Sequence, residues 1–157
     1  MKIAVLFSGG KDSTYAIYQA LQQGHELKFL ITLAPKRSDS WMFHHPCIEL
    51  TKLQAEAIGV KQIWKETVGE KEKELEDLRE AISEIAKVVD GIVSGALASQ
   101  YQKTRVDKIC KELDLESIAP SWQRNPEELL REEIGNGFEI IITQVAAAGF
   151  DESWLGR

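Results

Sequence analysis

Cysteine is scarce in this chain of 157 residues: there are two, Cys47 and Cys110, far apart and without metal-ligand spacing. This scarcity argues against a disulfide framework and favours a reducing compartment. Met1 and Lys2 lead straight into an apolar run without a signal peptide, so we expect a cytoplasmic protein. Because no apolar run approaches the ~20 residues that a membrane helix needs, we expect no membrane partner.

Basic residues are also in short supply, with 19 Lys and Arg against 25 Asp and Glu and a net charge of -6. An acidic chain has no overall attraction for nucleic acid, so we expect no direct nucleic-acid partner. An apolar fraction of 43% is ordinary for a globular protein, and the length suits one domain with a sizeable core. We therefore expect a single domain over residues 1–157.

The stretch from Ser8 to Ser13, Ser-Gly-Gly-Lys-Asp-Ser, organises the rest of the chain. It follows the apolar run 3–7, which predicts a strand, and precedes residues 14–21, which predict a helix. A helix start offers N–H groups and the positive end of the helix dipole, and glycine lets a ligand approach the backbone closely. With the Lys11 charge and the two serine hydroxyls, these features predict an anion site suited to phosphate.

Strand-like and helix-like segments alternate along the remaining chain. This alternation predicts an α/β fold, with an open, mostly parallel sheet covered by helices on both faces. Loops after strands lie at the carboxyl edge of such a sheet, where ligands bind. The predicted helices cover residues 12–23, 48–58, 70–89, 100–113 and 126 to 135–137; the predicted strands after the first cover 27–33, 62–64, 91–94, 116–118 and 138–145.

The longest predicted helix, over residues 70–89, has apolar residues three or four positions apart, which buries one face. Docking onto the sheet is the interpretation we favour; a coiled coil is the alternative, although under three heptads are short for one. In the next predicted helix, Cys110 falls within the apolar set, so we interpret it as a core residue. The apolar residues of the long helix are Leu75, Leu78, Ile82, Ile85 and Val89.

The order Ser-Gly-Gly-Lys-Asp-Ser differs from the Walker pattern and resembles the pyrophosphate loop of the N-type ATP pyrophosphatase (PP-loop) superfamily. Three further stretches, at residues 38–44, 94–106 and 151–157, narrow the resemblance to the diphthine–ammonia ligase (diphthamide synthetase) family. The resemblance covers essentially the whole chain. It implies a Rossmann-like fold of the adenine nucleotide alpha hydrolase type.

The resemblance also implies a reaction, with ATP and Mg²⁺ as cofactors and ammonium as co-substrate. Its protein partner would be a translation elongation factor that carries diphthine. The diphthine carboxylate attacks the α-phosphate of ATP, pyrophosphate leaves, and ammonia converts the acyl-adenylate into diphthamide with release of AMP. Such an enzyme mainly needs charge stabilisation around the phosphates and alignment of the attack. The oligomeric state is left open, a homo-oligomer included.

Site residues follow from the same resemblance. For catalysis it implies Lys11, Asp12 and Arg105, where Asp12 either favours the helix start or helps to hold hydrated Mg²⁺. The residues implied for binding the phosphates of ATP are Ser8, Gly9, Gly10, Lys11, Asp12, Ser13 and Gly95. The candidates for adenine or the acceptor are Ser40, Trp41, His44, Tyr101 and Gln102.

Each of these candidates also has an ordinary structural interpretation. Arg105 could pair with a carboxylate such as Asp107 or Glu112, and Tyr101 could be ordinary packing. Trp41 could cover the sheet edge, and His44 could be a loop hydrogen-bonder.

The end of the sequence departs from the resembling proteins. They continue beyond this point with an acidic Glu-Gly-Gly motif that is thought to serve the acceptor or ammonia, and this sequence lacks the motif. We therefore expect residues 1–157 to lack a C-terminal acceptor-binding portion that a longer natural chain would supply.

Two other functions stay open. One is a tRNA-modifying PP-loop enzyme that forms lysidine or adds sulfur, although thiolating members usually carry paired cysteines. The other is an adenine-nucleotide sensor that resembles the universal stress proteins, although that group uses a glycine-rich loop near its last strand. Product analysis distinguishes them, because a ligase releases AMP and pyrophosphate whereas a sensor retains ATP.

Overall fold

The computed structural model describes residues 1–36, 47–68 and 70–157. Within these ranges five parallel strands form one sheet in the order β3-β2-β1-β4-β5. The predicted α/β fold with a parallel sheet is therefore confirmed, and β3 is longer than the sequence pattern indicated. The strands are β1 Lys2–Leu6, β2 Glu26–Pro35, β3 Lys61–Thr67, β4 Gly91–Ser94 and β5 Glu116–Ile118.

Helices cover both faces of this sheet. On one face Ile17 and Ala55 pack beside Val5 of β1, and on the other Ile82 and Ile109 pack beside Ala4. Adjacent residues of β1 thus point to opposite faces, as the pleat of a strand requires. The helices in the described ranges are α1 Lys11–Gln22, α2 Leu50–Ile58, α3 Lys71–Ser83, α4 Gln100–Glu112 and α5 Pro126–Gly135, with a 3-10 turn at Glu152–Trp154.

The order of the strands reverses at β1. β2 and β3 follow on one side of β1, whereas β4 and β5 lie on its other side. The carboxyl ends of β1 and β4 therefore border the crevice in which open α/β sheets bind ligands. Because Ser8–Ser13 follows one of these ends and Gly95 follows the other, the topology brings both predicted phosphate-binding stretches to one edge.

The helix predicted over residues 70–89 docks onto the sheet but ends early, at Ser83. In the backbone that follows, some hydrogen bonds span three residues instead of the four of an α-helix: Ile85 N donates to Ile82 O at 3.1 Å, and Val88 N donates to Ile85 O at 2.8 Å. Ile85 and Val89 are still buried in the core. The apolar spacing thus identified the buried residues correctly, but not the point at which the helix gives way to turns.

The prediction of a final strand over residues 138–145 is wrong, since none of these residues forms a strand. Ile142 makes an isolated pair of backbone hydrogen bonds, donating to Arg157 O at 2.8 Å and accepting from Gly156 N at 2.9 Å. Apolar residues favour a strand where a neighbouring strand completes the ladder, and no ladder extends from this pair in the described residues. Ile141 is 67% exposed, so the run is not a buried strand.

The chain divides into two compact units, residues 1–123 and 124–157. The first contains the sheet and α1 to α4, and the second contains α5 and the 3-10 turn. The single domain expected from the sequence stays a prediction. Among the residues that the structure describes, no helix has the length and apolar character needed to cross a membrane.

Candidate functional site

The Ser8–Ser13 stretch forms the tight connection between β1 and α1. Gly9 has a φ of +76°, in the left-handed region that glycine adopts without strain. Gly10 is the N-cap of α1, and no side chain in the described part of the chain caps this helix. Because the first N–H groups of a helix have no intrahelical partner, the start of α1 presents donors together with the positive end of the helix dipole.

Two serine hydroxyls lie next to these donors. Ser8 Oγ is 3.2 Å from Ser13 Oγ, and Ser13 Oγ donates to Gly10 O at 3.0 Å. The backbone N–H of Ser8 donates to Ser13 Oγ at 3.3 Å, and that of Gly10 donates to Ser8 Oγ at 3.4 Å. Both distances exceed the usual ~2.9–3.0 Å. A bound anion can therefore replace these weak bonds at little cost.

Lys11 and Asp12 bring charge to the same end of α1. Their side chains form an ion pair and are 36% and 35% exposed, so both are accessible to a ligand. The ammonium of Lys11 is a mobile point charge suited to phosphate. The carboxylate of Asp12 lies in the first turn of α1, where the helix dipole favours negative charge. This position is compatible with either role predicted for Asp12.

Gly95, directly after β4, lies against the first turn of α1. A Cβ atom on Gly95 would lie 2.7 Å from the carbonyl carbon of Asp12 and 2.8 Å from Ser13 N. Because real Cβ atoms do not approach backbone atoms this closely, the contact requires glycine. The loop after β4 and the N-terminus of α1 therefore meet, as the reversal of strand order at β1 predicts.

Arg105 and Tyr101, on the first turns of α4, form a stacked pair. Arg105 Cζ lies 3.3 Å from the centre of the Tyr101 ring, and Arg105 Nη1 donates to Tyr101 O at 3.3 Å. Arg105 Nε is buried and has no hydrogen-bond partner among the described residues. Burial raises the pKa of Tyr101 above its ordinary value, although the adjacent Arg105 charge opposes this effect. The guanidinium is thus held in a fixed plane with a donor available.

Neither carboxylate considered as a partner of Arg105 contacts it. Asp107 accepts from Lys103 at 2.7 Å and from Ser117 Oγ at 2.6 Å. Burial raises the pKa of Asp107, but these hydrogen bonds outweigh that effect and hold the pKa below its ordinary value. Glu112 instead lies beside Arg79 and Lys108. The pairing of Arg105 with Asp107 or Glu112 is therefore wrong.

Gln102, the candidates at positions 38–44 and the predicted core residue Cys110 remain. Gln102 lies in the first turn of α4, where its N–H donates to Ser99 Oγ at 3.3 Å. Cys110 is confirmed as a core residue, 1% exposed, and burial raises the pKa of its thiol to about 11. The candidates at positions 38–44 lie outside the described residues; they are Ser40, Trp41 and His44.

Two residues near the loop were not identified from the sequence. Gln54 on α2 donates to Gly9 O at 3.1 Å. Gln62 on β3 donates to the hydroxyls of Thr32 and Thr51. Neither glutamine stands in a motif. Gln54 reaches the loop because α2 packs beside it, and Gln62 is linked to Phe7 O, at the end of β1, only through Thr32. A surface glutamine and a strand glutamine carry no signal that distinguishes them from others in the chain.

The chemistry of the loop fits a nucleotide better than a resident metal. Backbone N–H groups, two hydroxyls and an ammonium are all donors that phosphate oxygens accept from. No cluster of three or more His, Cys, Asp or Glu side chains that could hold a metal occurs in residues 1–36, 47–68 and 70–157. Mg²⁺ is commonly held by one or two carboxylates plus substrate phosphates. Asp12 fits that requirement for Mg²⁺ that arrives with a nucleotide.

Comparison with known proteins agrees with this chemistry. A family model described as the diphthamide synthase N-terminal domain matches residues 1–117. The human diphthine–ammonia ligase is 34% identical over 179 aligned residues, which include 100% of this chain and 67% of the human protein. The chain belongs to the diphthine–ammonia ligase family. As a member of this family it is an enzyme, a ligase that forms a C–N bond.

Members of the diphthine–ammonia ligase family differ in length. The relative from Schizosaccharomyces pombe is 31% identical and is matched by 100% of this chain, which spans only 29% of that protein. The mouse relative is 33% identical, and the chain spans 67% of it. The likeness to this family therefore extends over the whole chain in each case.

Solved structures share the fold of this family member at low sequence identity. A structure described as a predicted subunit of tRNA methyltransferase from Methanocaldococcus jannaschii has a TM-score of 0.57 and 18% identity, over 94% of this chain and 81% of that one. The U34-tRNA thiolase NcsA from Methanococcus maripaludis, with its [4Fe-4S] cluster, has a TM-score of 0.51 and 13% identity, over 98% and 61%. These likenesses confirm the α/β fold.

Proposed function

We propose that this protein uses ATP and ammonia to amidate the diphthine carboxylate of a translation elongation factor, yielding diphthamide. The observation that carries the proposal is the phosphate-type loop at the point where the strand order reverses, with Gly95 packed against the start of α1. A ligase of this family needs such a site, because ATP cleavage drives the amidation. The family relationship supplies the acceptor, and the loop supplies the nucleotide chemistry.

The proposed reaction has two steps. First, a carboxylate oxygen of diphthine forms a bond to the α-phosphorus of ATP, and the bond to the pyrophosphate oxygen breaks. Second, the nitrogen of ammonia forms a bond to the acyl carbon of the adenylate, AMP leaves with the carboxylate oxygen, and the nitrogen loses protons to give the amide. A carboxylate is a poor acyl donor, and adenylation provides it with a good leaving group. The site mainly has to align the reactants and stabilise phosphate charge.

The residues around α1 suit the first step. The backbone N–H groups of the loop and the hydroxyls of Ser8 and Ser13 would hold the β- and γ-phosphates. Lys11 would neutralise the charge that develops on the departing pyrophosphate. Asp12 would hold Mg²⁺ bound to phosphate oxygens, which supplies further charge neutralisation.

Arg105 and Tyr101 suit the acceptor side of the reaction. Arg105 lies on the helix that follows β4, and its buried Nε has no hydrogen-bond partner in the described part of the chain. A guanidinium donates to a carboxylate or phosphate through two parallel bonds, and stacking on Tyr101 fixes its plane. We assign it to the α-phosphate or to the diphthine carboxylate.

The test combines the full-length protein with ATP, Mg²⁺, ammonium and an elongation factor that carries diphthine. AMP formation, with conversion of the acid on the modified histidine to the amide by mass spectrometry, would support the proposal. AMP formation with a tRNA acceptor but not with the elongation factor would contradict it. ATP that is bound but never cleaved would instead indicate a nucleotide sensor.

Replacement of Lys11 tests the role of the loop in this reaction. We expect Lys11→Ala to lower the rate of pyrophosphate release by about a hundredfold or more while the protein stays folded, because the positive charge that stabilises the leaving pyrophosphate is lost. Lys108→Ala is the matched control, since Lys108 is a lysine with a 77% exposed side chain on α4. Normal turnover by folded Lys11→Ala protein would remove the loop from the mechanism.

A further inference from the structure

Three carbonyl groups between the end of β1 and the start of α1, those of Phe7, Gly9 and Gly10, accept hydrogen bonds. Phe7 O accepts from Thr32 Oγ1 of β2 at 2.7 Å, and Gly9 O accepts from Gln54 Nε2 of α2 at 3.1 Å. Gly10 O accepts from Ser13 Oγ at 3.0 Å and from Thr14 N at 3.1 Å. These carbonyl oxygens are thus occupied, which matters because an exposed carbonyl oxygen would repel an anion.

The Phe7 contact continues into a buried network. Thr32 is 1% exposed, and its Oγ1 accepts from Gln62 Nε2 at 2.8 Å. The same amide nitrogen donates to Thr51 Oγ1 at 3.0 Å, and Thr51, which is fully buried, donates to Ile48 O at 2.7 Å. The hydroxyls of Thr32 and Thr51 and the amide nitrogen of Gln62 are thus all hydrogen-bonded to one another or to the backbone, which fixes these side chains in one arrangement.

Because a peptide unit is planar, a hydrogen bond to its carbonyl oxygen also fixes the direction of the N–H of the next residue. A trans peptide is planar, with its C=O and N–H pointing in opposite directions, and the chain has no cis peptide bond among the described residues. The donor on Phe7 O therefore fixes the direction of the Ser8 N–H, and the donor on Gly9 O fixes that of the Gly10 N–H. These are the two N–H groups that make long bonds to serine hydroxyls, at 3.3 and 3.4 Å.

Gln54 is fitted closely to the loop. A Cβ atom on Gly9 would lie 2.3 Å from Gln54 Oε1 and 2.9 Å from Thr51 Cγ2, so α2 packs directly on the glycine backbone. Gln54 belongs to an element well removed from the loop in sequence, and it makes the bond through its side chain and not its backbone. Its amide can be changed without altering the loop sequence itself.

We propose that Gln54 is a positioning residue that preorganises the loop for the phosphates of ATP. Gln62 has a supporting role, because it holds Thr32, which bonds Phe7 O at the start of the loop. This inference rests on the proposed function, since it takes the loop as the phosphate site. Gln54 holds Gly9 O away from the ligand and thereby directs the Gly10 N–H towards it. Without that bond the loop has to be ordered when the ligand binds, which lowers affinity.

The test replaces the amide by a side chain of similar length without a donor. We expect Gln54→Met to weaken binding of α,β-methylene-ATP and of inorganic pyrophosphate by about five- to tenfold, as for loss of one hydrogen bond to a buried group. KM for ATP should rise by a similar factor while kcat changes by less than about twofold, because the lost interaction acts alike on ground and transition states. Titration calorimetry and steady-state kinetics on the full-length protein measure these quantities.

Glu56→Met is the matched control, since Glu56 is an exposed residue on the same helix. It introduces the same side chain and should leave both dissociation constants unchanged. The backbone amide signal of Gly10 should shift in the NMR spectrum of Gln54→Met protein and not in that of the control. A change confined to thermal stability, with unchanged dissociation constants, would overturn the proposal.

Gln62→Leu keeps the proposal testable if Gln54→Met fails to fold. This change removes the donor to Thr32 and should weaken pyrophosphate binding by a similar factor. In the NMR spectrum the backbone amide signal of Ser8, and not that of Gly10, should shift. Unchanged affinity would again overturn the proposal. Wild-type protein that binds neither ATP nor pyrophosphate would contradict the proposed function itself. Wild-type binding with an unaffected Gln54→Met variant would contradict only this inference.

Discussion

The loops that follow β1 and β4 meet at the same edge of the sheet but are held in different ways. The first loop is fixed by hydrogen bonds from β2, α1 and α2 to its carbonyl groups. The second is fixed by the close approach of Gly95 to the backbone of α1 and by a cap, since Ser99 Oγ accepts from Gln102 N. The helix after the first loop has no such side-chain cap within the described residues.

The uncapped start of α1 and the capped start of α4 suit different roles in the site. The uncapped start of α1 leaves N–H groups for a ligand, and a backbone site recognises phosphate whatever else the ligand carries. The capped start of α4 has one donor satisfied by Ser99, and it presents side chains instead, among them Arg105 stacked on Tyr101. We infer that the first loop serves the nucleotide and that the second serves the acceptor-specific part of the reaction.

The first prediction tests the contact between the two loops, for which we expect the largest effect. We expect Gly95→Ala to weaken ATP binding, with the dissociation constant raised by about a hundredfold or more, because the added methyl group meets backbone atoms of Asp12 and Ser13 at 2.7–2.8 Å. Backbone cannot move aside as a side chain can, and such overpacking costs about 1–3 kcal/mol of stability. Titration with ATP and thermal unfolding measure the two effects.

Gly91→Ala is the matched control for this change. Its added Cβ would lie 2.9 Å from Glu116 O, a similar overlap with backbone, but at the opposite end of β4. It should lower the free energy of unfolding by a similar amount without weakening ATP binding by the folded protein. If Gly95→Ala bound ATP as well as Gly91→Ala, the meeting of the two loops would not matter for the site.

The second prediction concerns the side-chain pair on α4. We expect Arg105→Ala to lower the rate of amidation by about 10- to 100-fold, as for the loss of hydrogen bonds to a charged group. Arg105→Lys should recover little of the loss, because an ammonium neither stacks flat on Tyr101 nor donates through a planar fork. ATP affinity should change much less than in Gly95→Ala protein, if the second loop serves the acceptor.

The control for Arg105 is Arg79→Ala, which removes a half-exposed arginine that lies beside Glu112. Its rate should equal that of the wild type. Equal activity of Arg105→Lys and wild-type protein would mean that the stacked geometry has no function. A loss of ATP affinity equal to the loss of rate would assign Arg105 to the nucleotide and would remove the division of tasks between the loops.

Much of the first loop could be predicted from the sequence, and much of the second could not. A strand, two glycines, a lysine and a helix start stand next to one another in the chain, and local chemistry alone identifies them as an anion site. The close approach of Gly95 and the stacking of Arg105 depend on how β4 and α4 pack. The resemblance to a family supplied those residues, whereas the residue pattern by itself did not.

The predictions that failed did so for the same reason. Residues 138–145 are apolar enough for a strand, but a strand also needs a partner, which residue pattern does not specify. Gln54 reaches the loop from α2, and Gln62 on β3 contacts Thr32, which bonds Phe7 O; these contacts form only when the sheet is assembled. Asp107 was considered as an ion-pair partner of Arg105, but Lys103 occupies that carboxylate.

The smallest expected effect tests whether the cap on α4 is only structural. Ser99→Ala removes the hydroxyl that accepts from Gln102 N at 3.3 Å, and loss of an N-cap costs about 1 kcal/mol of stability. Because the start of α1, and not the start of α4, is proposed to hold the β- and γ-phosphates, ATP affinity should stay within about twofold of wild type, whereas the free energy of unfolding falls. Asn125→Ala removes the cap of α5, where Oδ1 accepts from two N–H groups, and serves as a reference for a purely structural cap. A large loss of ATP affinity in Ser99→Ala protein, beyond that of Asn125→Ala, would show that the start of α4 also contributes to the nucleotide site.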